Sequence, residues 1–158
     1  MSRSRRVMIV GLVAAAAFGT ACTSSTTKTR ESSVIPSKQA RVVAFFEHEG
    51  SPLLAFERAT APLATGTRPD RATCVRLRDV VLPKVSKSPD ALVSLAQRVP
   101  DKPLAAAFHT VVSLKVLVVL GCATGAAPTG AQDPKGYTSI RDHTRSLDAH
   151  LARYGIRI

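Results

Sequence analysis

The sequence lacks tryptophan, and its only aromatic residues are five phenylalanines and two tyrosines among 158 residues. Recognition of nucleic-acid bases by stacking depends on aromatic side chains, so this composition gives it little to work with. Motifs typical of catalysis or of metal and phosphate binding are missing too: G-x-S-x-G, a Gly-rich phosphate loop, H-E-x-x-H and an EF-hand loop. These absences predict a protein that is not an enzyme and that carries no cofactor.

Acidic residues are also scarce, with 11 against 22 basic residues and a net charge of +11. Three of the basic residues, Arg3, Arg5 and Arg6, lie in an N-terminal leader without acids, which leaves about +8 on the rest of the chain. No basic run after the leader is longer than two adjacent residues. Because a nucleic-acid interface concentrates its basic residues on one face, we expect no nucleic-acid partner.

The first 21 residues have the organisation of a secretory signal peptide. The positive segment "MSRSRR" precedes the apolar run "VMIVGLVAAAAF", and "GTA" supplies small residues before Cys22. An apolar run of 12 residues is short for a membrane span, which needs about 20. The pair Arg5 and Arg6 resembles a twin-arginine export signal, and the sequence leaves open whether export is by that route or by Sec.

The segment "GTAC" resembles the lipobox of bacterial lipoproteins, notably those of high-GC Gram-positive bacteria such as mycobacteria. Thr20, Ala21 and Cys22 fit the motif, whereas Gly19 stands where Leu is usual. The resemblance covers residues 1–33 and implies lipid attachment at Cys22 and a location on the outer face of the cell membrane. Cleavage without lipidation, giving a secreted protein, is the alternative. Residues 22–37, rich in Ser and Thr, would then be a disordered tether for a domain at 38–158.

Three cysteines are an odd number for an exported chain, in which thiols are expected to pair. If Cys22 carries lipid, Cys74 and Cys122 remain as a disulfide pair. Their bridge would close a loop of about 48 residues and stabilise the fold by roughly 4 kcal/mol on the chain-entropy estimate.

The pattern of the domain predicts an all-α fold, a small bundle of five or six helices with one disulfide. Ser37, Ser51, Ser88 and Asp101 are expected to cap helices, and no hairpin or repeat signal is present. Another helix is predicted to begin at Thr67 and to end at Pro83. Residues 123–136 are predicted to be a loop, followed by an amphipathic helix from Tyr137 to the stop at Gly155.

The helix after Asp101 is the most apolar part of the domain, and we expect it to end at Gly121. A buried strand and a membrane span are the competing interpretations of this segment. His109 and Lys115 count against the span, because charged groups in a membrane are costly. As a central bundle helix, it would hold Lys115 at one edge with its ammonium group reaching solvent.

Function is less constrained than location. The first hypothesis is a non-catalytic binding or interaction module of the cell envelope, held to the membrane by its lipid anchor, with an envelope protein or an anionic envelope component as partner. The second is a carrier of a small ligand, haem or metal that uses His109, His143 or His150. The third is an envelope hydrolase, which would need two carboxyl groups converging in a cleft.

Overall fold

The computed structural model describes residues 37–125 and 134–158. The predicted signal peptide, Cys22 and the tether before Ser37 lie outside the described residues. Within the described ranges the chain forms six helices and no strand, which confirms the all-α prediction.

The helices follow one another with short connections. Helix α1 spans Lys38–Glu47 and α2 spans Ser51–Ala59, which is followed by a 3-10 helix, Ala61–Thr65. Helix α3 is continuous through an α-helical part Arg71–Arg76, a π-helical turn Leu77–Val81 and a last α-helical turn Leu82–Val85. Helices α4, α5 and α6 are Pro89–Gln97, Lys102–Thr124 and Pro134–Ala152.

Three of the four predicted capping residues are correct, whereas Ser51 is the first residue of α2 and Gly50 is its N-cap. The side-chain oxygens of Ser37, Ser88 and Asp101 each accept a hydrogen bond from the backbone N–H three residues later, at 3.0 to 3.1 Å. Each cap satisfies one of the N–H groups that have no partner within the first turn of a helix.

The predicted bounds of α3 are wrong at both ends. Asp70 is the N-cap, because its carboxylate accepts from the backbone N–H and the hydroxyl of Thr73, at 2.7 and 2.9 Å, so the helix starts four residues after Thr67. Pro83 does not end the helix, since the chain continues to Val85. The π-helical turn before it, in which the Leu82 N–H donates to the Leu77 carbonyl, changes the hydrogen-bond register at the place where proline removes a donor.

The glycine predicted to stop α5 does not stop it. Gly121 lies within the helix, which continues to Thr124 and ends at Gly125, where φ is +75°. That left-handed conformation is the usual C-terminal cap and suits glycine. Helix α6 begins at Pro134, three residues earlier than predicted.

Helix α5 is the centre of the fold, and α3, α4 and α6 all pack against it. Its length and composition are those of a membrane span, the only such helix within the described ranges. Packing in the bundle accounts for part of that composition, because one face of the helix, from Leu104 to Ala123, is buried in the core, whereas Leu117 and Leu120 are exposed. Fully buried side chains of the core include Leu77, Leu92, Phe108, Val111, Ile140 and Leu147. The strand interpretation of this segment is wrong.

The predicted disulfide is present. Cys74 in α3 and Cys122 in the last turn of α5 are bonded, with their Cα atoms 5.8 Å apart, within the ordinary range for disulfides. Both residues are buried, so the bridge fixes the antiparallel packing of these two helices from inside the core.

Candidate ligand-binding site

The histidines proposed as metal or haem ligands form no recognisable site. His143 is exposed, and His109 and His150 are half-buried. No group of three or more His, Cys, Asp or Glu residues within the described ranges is placed to hold a metal ion. Cys74 and Cys122 are bonded to each other and therefore offer no thiol for nucleophilic chemistry.

A buried ion pair is the most unusual chemical feature of the core. Lys115 of α5 has a fully buried side chain, and its Nζ donates to Oε2 of Glu57 in α2, whose side chain is 1% exposed. The prediction that Lys115 reaches solvent is therefore wrong. Its position on α5 faces the interior, and Glu57 provides the counter-charge that a buried ammonium requires.

The two oxygens of the Glu57 carboxylate have different surroundings. Oε2 accepts from Lys115, whereas Oε1 is buried and has no hydrogen-bond partner among the described residues. Burial raises the pKa of Glu57 and the charge of Asp148 raises it further, while the charge and hydrogen bond of Lys115 oppose the rise. The carboxylate is thus held in its place by one lysine and is poorly solvated on the other side.

A cavity of about 460 Å³ borders this pair. It lies between α2, the 3-10 helix, α5, α6 and the segment after α6. Lys115 and Glu57 line it together with Thr144, whose Oγ1 is also buried without a partner in the described part of the chain. The apolar lining consists of Ala61, Ala64, Leu151, Ala152, Ile156 and Ile158.

The charged side chains that line the cavity are two acidic and two basic ones. Glu57 and Asp148 are acidic, and Lys115 and Arg157 are basic. Glu57 and Lys115 lie in the interior, whereas Asp148 and Arg157 are exposed and mark the side that opens to solvent. The arrangement is a mainly apolar cavity with a polar, desolvated inner end, at which Lys115 and Glu57 neutralise each other.

A second groove differs in character. It measures about 540 Å³, and its lining includes Arg41, Ala44, Phe45 and the exposed ion pair of Glu49 and Arg98, at 3.4 Å. All of its lining residues except Phe45 are exposed, so it contains no desolvated polar group. Burial and polarity therefore single out the cavity beside Lys115.

The chain matches no protein-family model, no curated protein and no solved structure.

Proposed function

We propose that this protein is a lipid-anchored cell-envelope protein whose helical domain binds a small, largely apolar molecule without catalysis. The observation that carries the proposal is the cavity beside the Glu57–Lys115 pair. Its volume is within the range of about 300 to 1,000 Å³ that is common for ligand sites, and such sites are mostly apolar with a few placed polar groups. The location rests on the lipoprotein-like leader and on Cys22.

Binding can be measured with N-phenyl-1-naphthylamine, a neutral apolar probe that fluoresces more strongly away from water. The full chain with Cys22→Ala is the suitable protein, because it carries no lipid of its own that could occupy the cavity. We expect a saturable rise in fluorescence. Ala64→Phe, on the half-buried cavity wall, should abolish it by filling the space.

Ala44→Phe is the matched control, because it makes the same substitution in the second groove. It should leave probe binding unchanged. No saturable signal in the Cys22→Ala protein, or an equal loss in both phenylalanine variants, would contradict binding in this cavity.

The anchor needs a separate measurement. Intact-mass analysis of the protein made in its own envelope should show cleavage before Cys22 and the mass of a lipid, and Cys22→Ala should lack that mass. An unmodified, full-length chain recovered from the cytosol would refute the proposed location.

One observation favours the hydrolase alternative: Glu57 and Asp148 both line the cavity, and glycoside hydrolysis uses two carboxyl groups. We favour binding because the Glu57 carboxylate is engaged in a buried ion pair with Lys115, whereas Asp148 is exposed. The hydrolase would be supported instead if the Cys22→Ala protein released reducing ends from purified cell wall and if adding Asp148→Asn abolished that release.

A further inference from the structure

The chemistry at the inner end of the cavity restricts which ligand can bind there. Glu57 Oε1 is a buried acceptor without a donor, and Thr144 Oγ1 is a buried hydroxyl without a partner among the described residues. Lys115 carries three N–H donors, of which Glu57 Oε2 engages one. A desolvated acceptor that lacks a donor is costly, so a ligand that donates to it gains the full benefit of that bond.

The inner end therefore presents both an acceptor and donors within one small region. A ligand group that only accepts, such as an ether oxygen, would leave Glu57 Oε1 unpaired. A hydroxyl group or an amide with an N–H can donate to Glu57 and accept from Lys115 or Thr144 at the same time.

Net charge on the ligand is disfavoured by the same geometry. Lys115 and Glu57 neutralise each other in the interior, so neither is available as a counter-charge for a ligand. An additional carboxylate or ammonium group would be desolvated without a counter-charge of its own. The walls beyond the polar end are apolar and suit a hydrocarbon body.

We infer that the cavity selects a neutral amphiphile: a hydrocarbon body with one hydroxyl or amide group, which donates to Glu57 Oε1. This inference rests on the proposed binding function and specifies its ligand class. The polar group contacts Lys115 or Thr144 in the same position, and the body extends toward Leu151 and Ile156.

The test is displacement of N-phenyl-1-naphthylamine from the full chain with Cys22→Ala by probes of one chain length. The neutral probes with a donor are 1-octanol and octanamide, and the comparison probes are methyl octyl ether, octanoate and octylammonium. We expect 1-octanol and octanamide to displace the fluorescent probe at about tenfold lower concentration than each comparison probe, the ratio that one satisfied buried hydrogen bond supplies.

Two variants locate the polar contact. Thr144→Val replaces the hydroxyl with a methyl group of similar size and should weaken 1-octanol severalfold without changing methyl octyl ether. Thr110→Val is the matched control, because Thr110 donates its hydroxyl to the backbone carbonyl of Ala106 and does not line the cavity. The apolar double variant Glu57→Met with Lys115→Met should bind the alcohol and the ether equally.

Octanoate or octylammonium binding as tightly as 1-octanol would overturn the neutral-ligand inference while leaving the binding function intact. Equal affinity of the Cys22→Ala protein for 1-octanol and the ether would overturn the inference that the ligand donates a hydrogen bond to Glu57. If no probe binds, including N-phenyl-1-naphthylamine, both the binding function and the inference fail.

Discussion

Removing Lys115 from the buried pair should lower the free energy of unfolding, because Glu57 then lacks its counter-charge. Lys115→Met keeps the length of the side chain but leaves Glu57 as a buried carboxylate without a cation. Both side chains are almost completely buried, at 0% and 1% exposure, so solvent can replace little of the lost attraction. We expect the free energy of unfolding at pH 7 to fall by about 3 to 5 kcal/mol, a large share of the 5 to 15 kcal/mol typical of domains.

The double variant Glu57→Met with Lys115→Met is the decisive control. It removes both charges and retains side chains of similar length, so the desolvation cost of the pair disappears together with its attraction. Such replacements are often neutral or stabilising by about 1 to 4 kcal/mol. The double variant should therefore be at least as stable as the wild type, although the single variant is much less stable.

The cost of Lys115→Met should also depend on pH in a known direction. Burial raises the pKa of Glu57, and without Lys115 nothing in the pair opposes the rise. A folded-state pKa above the unfolded value means that the native state binds the extra proton as pH falls. The stability deficit of Lys115→Met relative to the wild type should therefore shrink as pH falls from 7 towards 5.

Urea unfolding of these proteins, followed by the helical circular dichroism signal, measures all three quantities. The reasoning is refuted if Lys115→Met costs less than about 1 kcal/mol, the value of an exposed pair. It is also refuted if the double variant is as unstable as the single one, or if the deficit widens on acidification.

Four further predictions concern the frame of the bundle. Asp101→Ala should lower the free energy of unfolding, measured with urea, by about 1 kcal/mol more than Asp101→Asn, because asparagine can still cap α5. Because the ion pair with Lys38 lowers the Asp101 pKa, the extra stability of the wild type over Lys38→Met should be lost as pH falls below about 4. An equal loss of stability in the two proteins on acidification would contradict this. Replacing both Cys74 and Cys122 by Ala should lower the free energy of unfolding, measured with urea, by about 4 kcal/mol. A loss below about 1 kcal/mol would contradict the loop-closure estimate. Gly50→Ala should cost about 1 to 3 kcal/mol by thermal unfolding, because its new Cβ would meet two phenylalanine rings at 2.5 to 2.8 Å; an unchanged melting temperature would show that the rings move freely.

The helix caps predicted correctly from the sequence are decided by chemistry within a few residues. Ser37, Ser88 and Asp101 cap helices because a short polar side chain reaches the N–H three residues later, whatever the rest of the fold does. The disulfide followed from a count of cysteines and from the compartment that the leader implies.

The errors arise where tertiary packing overrides a local rule. Pro83 normally ends a helix, but the π-helical turn absorbs the missing donor and α3 continues. After the same turn, Leu82 faces the core and is 5% exposed, whereas Val81 is only half-buried. Gly121 remains inside α5 because its helix is stabilised by packing along its length rather than by intrinsic propensity.

The candidate site was missed for a different reason, since its two charged residues are 58 positions apart. Each nevertheless breaks the pattern of its own helix. Lys115 lies on the stripe of Val111, Val118 and Cys122, which is buried along α5, and Glu57 follows Leu53 at the spacing of one helical turn. A single charge on a buried stripe is a costly exception, but a lysine on one stripe and a glutamate on another can neutralise each other. Two opposite exceptions to hydrophobic periodicity on neighbouring helices are therefore a signal for a buried pair, and here they mark the polar end of the cavity.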